Sequence, residues 1–344
     1  MKYREDLDGL RGIAVLLVIA THAYFPVTND GGTTGVTAFF VLSGYLITRL
    51  LVQERELTGR IDLRAFYLRR ALRLGPALLV LLAFVLAVGV WVGWAGGWQV
   101  GTVASLFYVS NWVQVAGIQV IPLGHTWTLA IEEQFYLIWP VVLMLVRPRW
   151  ALRIAIAGAM VGTLAHLIAT GTFEYFSTIT RGNAILVGCV LGLVQVRLPS
   201  RIGALGVPIL VILTYMNLPH DVANPIAILA SSMIICSSLP ALGVLAPIGR
   251  RAYGLYLWNY PLSVLLGPVA ALWTFPVAML SYRLVERPLM RRFGPGLKRG
   301  VPKGDPGGSP DINGTPASRR LPEASSLALM DRGVREPEET LARI

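Results

Sequence analysis

Apolar residues run in long blocks along this chain, with neither the alternation of half-buried strands nor the polar face of a surface helix. Runs long enough to cross about 30 Å of hydrocarbon occupy residues 12–27, 36–53, 75–95, 129–146, 152–170, 184–196, 202–219 and 224–245. The charge-free stretch 252–282 is too long for one span and divides near Gly267 and Pro268 into two tightly connected ones. The pattern predicts an all-α, polytopic membrane protein of about ten transmembrane helices. The segment 99–116 is different. It carries Gln99, Ser105, Ser110, Asn111 and Gln114, which suits a re-entrant or interfacial helix that does not cross. Residues 1–290 form one membrane domain, and the Pro-, Gly- and Ser-rich stretch that follows predicts a disordered cytoplasmic tail over 291–344.

Composition agrees: 54% of residues are hydrophobic and 14% charged, which excludes a soluble domain of this size and makes the lipid bilayer the first partner. The net charge of +11 matters less than its placement and implies no nucleic-acid partner. If 99–116 does not cross and both termini are cytoplasmic, every Lys and Arg before residue 291 except Arg181 lies on the cytoplasmic side. A crossing there would move Arg147, Arg149, Arg153, Arg197, Arg201, Arg250, Arg251, Arg283 and Arg287 outside, so the positive-inside rule selects the first topology. Glu5, Asp6 and Asp8 precede the first apolar run, which reads as a retained span in the cell membrane rather than a signal peptide. Cys189 and Cys236 lie in apolar runs with no partner spacing; neither a disulfide framework nor a metal site is expected. The sequon at Asn313 falls in the tail and is a chance match.

An ionisable residue at membrane depth is a functional candidate by default. Arg11 and His22 share the first span, roughly 16 Å apart and nearly on one face. The loop 49–73 carries seven arginines and ends in FYLRRALRLGP, where Arg69, Arg70 and Arg73 form one basic patch. Guanidinium geometry matches phosphate oxygens; attraction to anionic lipid is the other reading. In HTWTLAIEEQFYLIWP, residues 125–140, Thr128 is expected to cap a helix that carries Glu132 and Glu133 to the depth of His22. The two carboxylates lie ~100° apart, so one is expected to orient His22 as a hydroxyl-activating base and the other to tie helices together. A purely structural tie is the alternative. Ser43 and Gly44 permit close helix contact, Arg283 and Glu286 are spaced as an ion pair, and His166 and His220 receive no role.

The pair Arg11–His22, FFVLSGYLI, FYLRRALRLGP, HTWTLAIEEQFYLIWP, YGLYLWNYPL and SYRLVERPL follow one another over residues 3–290. In that order they resemble the acyltransferase family 3 membrane proteins. The resemblance implies transfer of an acyl group, often acetyl, from cytoplasmic acyl-CoA as co-substrate, with no permanently bound cofactor, to a hydroxyl of a carbohydrate or glycoconjugate. It implies that His22 is catalytic with Arg11 as its partner, and that Arg70 to Arg73, with Arg69 adjacent, bind the acyl donor. Ser43, His125 and Asn259 are support candidates. Where the family commonly has histidine in its LWHxP motif this chain has Asn259, which excludes proton transfer at that position. No esterase-type domain follows, so the resemblance is to the stand-alone form. Direct transfer and an acyl-enzyme are both compatible. Two rival classes remain open: a transporter or exporter of a sugar-containing molecule, in which intramembrane His and Glu relay protons, and an inactive scaffold.

Overall fold

The computed structural model describes residues 3–23, 31–94, 97–216 and 218–293. The helices, in order, are α1 Glu5–His22, α2 Gly31–Thr58, α3 Leu63–Val92, α4 Trp98–Leu106, α5 Ser110–Val115, α6 Trp127–Leu145, α7 Pro148–Ile168, α8 Gly171–Phe176, α9 Thr178–Val194, α10 Ser200–Tyr215, α11 His220–Cys236, α12 Ala246–Gly249, α13 Ala252–Leu266, α14 Ala270–Ser281 and α15 Arg287–Phe293. No strand occurs among the described residues. Residues 294–344, with most of the expected tail and Asn313, lie outside the described residues, as does the expected end of the first span after residue 23.

A helix of 12 to 30 residues stands at each of the ten places where the apolar blocks predict a span. Among the described residues, however, six helical stretches are long and apolar enough to cross a membrane, or seven if His220–Cys236 and Pro240–Gly249, bent by 102°, make one span. The shortfall has local causes. The first turns of α1 carry Glu5, Asp6, Asp8 and Arg11, and α10 and α11 have only 16 and 17 residues. α13 and α14 are the arms of a hairpin turning at Gly267: Asn259 bonds Thr274 across it, and Gly254 faces Ala278.

With lipid outside and apolar side chains inside, small residues rather than hydrophobicity decide which helices touch. A methyl added at Gly44 of α2 would fall on the Ile185 carbonyl of α9, and one at Gly188 would fall on that of Val41. These two helices therefore cross backbone to backbone. α1 is clamped likewise. Gly9 lies against Leu242, Gly249 against the Asp8 carbonyl, and Gly35 of α2 against that of Ala14. Below α1, Arg4 donates to the Ile235 carbonyl at 2.8 Å and to that of Ser237, and Asp6 accepts from Leu239 N–H at 3.1 Å.

The segment 98–126 forms two short helices, of nine and six residues, and stays at one end of the bundle. Its polar residues bind the bundle rather than solvent. Gln134 of α6 donates to the Tyr108 carbonyl (2.8 Å) and to Asn111 Oδ1 (2.9 Å), Asn111 donates to Thr178 (3.0 Å), and Thr178 donates to Gln134 (2.6 Å). At that end Arg181 is 1% exposed; its Nε–H meets the Tyr175 carbonyl at 3.0 Å and it lies over the rings of Tyr175 and Trp127. The remaining described arginines before residue 291, apart from Arg11 in α1, belong to the opposite end.

Candidate active site

A cleft open to the exterior enters the bundle between α1, α2, α3, α6 and α13. Arg11, Arg70 and Arg73 line it together with Glu132, Ser43 and Tyr136; its apolar part is made by Phe39, Phe40, Leu129 and Tyr256. The three arginines are held differently. Arg11 pairs with Asp8 at 3.0 Å. Arg70 donates to Glu133 at 3.1 Å and lies over the Tyr136 ring, 3.4 Å from its centroid. Arg73 stands within the field of Arg11 and Arg70 and makes no hydrogen bond or ion pair among the described residues. Asp8 and Glu286 also act on it at longer range, but neither is bonded to it, and a cation so placed at a cleft wall is suited to an anion.

Arg69 belongs elsewhere. It turns to Glu54 of α2 at 4.0 Å and does not line the cleft, although it shares a helix face with Arg73 one turn further along α3.

The carboxylates do not meet His22. Glu132 accepts from Ser43 Oγ at 2.8 Å and Glu133 from Arg70, so both sit at the Arg11 level of α1. The expected common depth with His22 is corrected. α6 starts deep in the bundle because the 98–126 segment fills the space above it, and the glutamates are displaced toward the arginines. Thr128 does not cap α6 either. The helix begins at Trp127 without a side-chain cap, and Thr128 Oγ instead bonds Tyr256 OH at 2.6 Å. Nor does Glu286 pair with Arg283. A π-helical turn at Tyr282–Glu286 buries Glu286 while Arg283 stays exposed, because five-residue spacing rotates the two apart.

His22, half-buried at the end of α1, has its Nδ1 2.6 Å from Asn259 Oδ1. The roles follow from one fixed proton. Thr274 Oγ donates to the Ala270 carbonyl at 2.8 Å, so it can only accept from Asn259 Nδ2 at 3.1 Å. That fixes the amide with Oδ1 toward His22, and an amide oxygen only accepts. Nδ1 therefore carries the proton, and the Nε2 of a neutral ring keeps its lone pair. The Tyr260 ring meets His22 edge-on at 5.1 Å.

Between cleft and His22 stands a layer of rings. Tyr256 and Tyr260 are one turn apart on α13, with His125 against both at 5.5 and 5.4 Å. His125 is 5% exposed and donates from Nε2 to the Leu257 carbonyl at 3.1 Å, leaving Nδ1 without a partner. Asn259 is three residues beyond Tyr256, so His22 lies about one helical turn, ~5 Å, past the inner end of the cleft. The sequence reading passed over Tyr136, Tyr256 and Thr274. For Thr274 a signal existed: it is a lone hydroxyl in AALWTFPVAML, seven residues beyond Gly267 where Asn259 lies eight before it.

A family model described as an acyltransferase domain matches residues 4–285. Among curated proteins, peptidoglycan O-acetyltransferase OatA of Listeria monocytogenes is 33% identical over 352 residues, covering 84% of this chain and 56% of the relative. O-acetyltransferase OatA of Staphylococcus aureus is 32% identical over 349 residues, covering 85% and 58%. The chain thus spans about half the length of the curated relatives it matches. No solved structure matches.

Proposed function

Since the chain belongs to the acyltransferase family, we propose that it moves an acetyl group from acetyl-CoA to a hydroxyl of a cell-envelope carbohydrate. The relatives' names supply the acetyl group and the glycan. The observation that carries the mechanism is His22, whose Nε2 keeps a lone pair and bonds nothing among the described residues, set one turn past an arginine-mouthed cleft. Arg11, Arg70 and Arg73 receive the phosphates of CoA, Arg73 as the one without an internal partner. The apolar walls at Phe39 and Phe40 take the pantetheine arm, and the thioester passes the Tyr256 layer to reach His22. Nε2 takes the acceptor's hydroxyl proton as the oxygen attacks the thioester carbonyl. The C–S bond breaks, and the sulfur leaves as CoA thiol with the proton returned from the imidazolium. Glu132 and Glu133 serve the donor end, holding Ser43 and Arg70, rather than the base.

The arginine end then faces the cytoplasm, where acyl-CoA is made, with both termini there and the acceptor approaching the far face near His22. The family match favours acyl transfer over transport. The test is acetyl-CoA turnover by the protein in lipid vesicles with a glycan acceptor, read as free thiol and acetylated product, wild type against His22→Ala. Acceptor-dependent thiol release that disappears in the variant supports the assignment. Wild-type turnover in His22→Ala, or a wild type that binds no acetyl-CoA, overturns it.

A further inference from the structure

The α13–α14 hairpin ends in an arrangement that the acyl-transfer reading does not itself require. Asn259 is 1% exposed and Thr274 0%. They form a closed series in which each polar atom has one possible role: Thr274 Oγ–H to the Ala270 carbonyl, Asn259 Nδ2–H to Thr274, His22 Nδ1–H to Asn259 Oδ1. The other polar groups facing His22 among the described residues are Tyr260, on the same helix as Asn259, and His125 from the turn 124–126, near enough to sense its charge. No carboxylate pairs with the imidazole among them.

We propose that Asn259, locked by Thr274, is the positioning residue that selects the Nδ1–H tautomer of His22 and aims Nε2 at the acceptor hydroxyl. The proposal rests on His22 being the base. A carboxylate in this position would also choose the tautomer, but it would bring a charge to a buried site and hold the ring protonated to higher pH. The amide gives orientation without charge. His22 is thereby kept neutral, and ready to accept, at lower pH than a His–carboxylate pair would allow.

The experiment measures kcat, donor KM and the pH profile of kcat/KM for His22→Ala, Asn259→Ala, Asn259→Asp and Thr274→Val in lipid vesicles. Asn259→Ala loses one hydrogen bond to the reacting ring and lowers kcat about 10–100-fold at unchanged KM for acetyl-CoA. Thr274→Val frees the amide to turn over and gives a smaller loss in the same parameter. Asn259→Asp accepts the same bond, recovers rate toward wild type, and moves the acid limb of the profile to higher pH. This near-isosteric variant keeps the test open if Asn259→Ala does not fold. An Asn259→Ala enzyme with wild-type kcat, or an Asn259→Asp enzyme whose acid limb stays in place, overturns the proposal while leaving His22 as base. A fully active His22→Ala overturns the base itself, so the two failures are distinct.

Discussion

Arg69, Arg70 and Arg73 lie within one helical turn of α3, yet their surroundings predict three different phenotypes on replacement by glutamine. Arg73 has no internal hydrogen bond or ion pair to lose, and Arg11 and Arg70 on one side offset Asp8 and Glu286 on the other, so its removal should change thermal stability little. What disappears is a charge-assisted hydrogen bond to a donor phosphate, worth about 1.5–3 kcal/mol, and KM for acetyl-CoA should rise about 10–100-fold at constant kcat, since the change is far from His22. Arg70 differs: its loss removes the 3.1 Å bond to Glu133 and the ring contact with Tyr136. Leaving a mostly buried carboxylate without its cation costs about 1–3 kcal/mol, so Arg70→Gln should raise KM and also lower the unfolding temperature. Arg69 reaches only Glu54, at 4.0 Å. A part-buried pair at the limit of ion-pair distance, whose Glu54 keeps its bond to Asp62 N–H, is worth about 0–1 kcal/mol, so Arg69→Gln should change neither quantity appreciably. Initial rates against acetyl-CoA concentration, with thermal unfolding of the same preparations, separate the three. An Arg69→Gln variant whose KM rises as much as that of Arg73→Gln would refute the assignment of the cleft.

Three further outcomes are expected. Gly188→Val, which forces α2 and α9 apart where Val41 meets Gly188, should destabilise by more than the ~1–3 kcal/mol of ordinary overpacking, seen as loss of monodisperse protein on size exclusion. Gln134→Leu leaves Asn111, Thr178 and the Tyr108 carbonyl without their shared partner, and should expose the 98–126 segment to limited proteolysis before the rest of the bundle. Cys189 is fully buried and Cys236 nearly so, so single cysteines introduced at Glu56 and Asp221 can be read against a low background. A membrane-impermeant reagent applied to intact cells should label the second and not the first, and the reverse would invert the topology.

Length is what a membrane sequence states most clearly, and the long apolar blocks, the polar 99–116 interruption and the turn at Gly267 were legible for that reason. Axial offset was not. Nothing in HTWTLAIEEQFYLIWP says how far into the bundle α6 begins, and that offset sent Glu132 to Ser43 and Glu133 to Arg70 instead of His22. Azimuth alone groups Arg69 with Arg73, four residues apart on one face; the neighbouring Glu54 of α2 that draws Arg69 away has no trace in FYLRRALRLGP. The Asn259–His22 contact joins residues 237 positions apart, beyond the reach of any local pattern. The burial of Glu286 needed the π-turn, which has no signature in SYRLVERPL.

That long contact also orders the protein's life in time. His22 leaves the ribosome with the first helix, whereas Asn259 and Thr274 emerge only with the last hairpin. A nascent or interrupted chain can therefore insert most of its helices while its imidazole still lacks an orienting partner. Acetyl-CoA would meet an arginine cleft with an unaimed base, and the thioester would be spared until synthesis had passed Thr274. Synthesis of the α13–α14 hairpin would thus double as the licence to react.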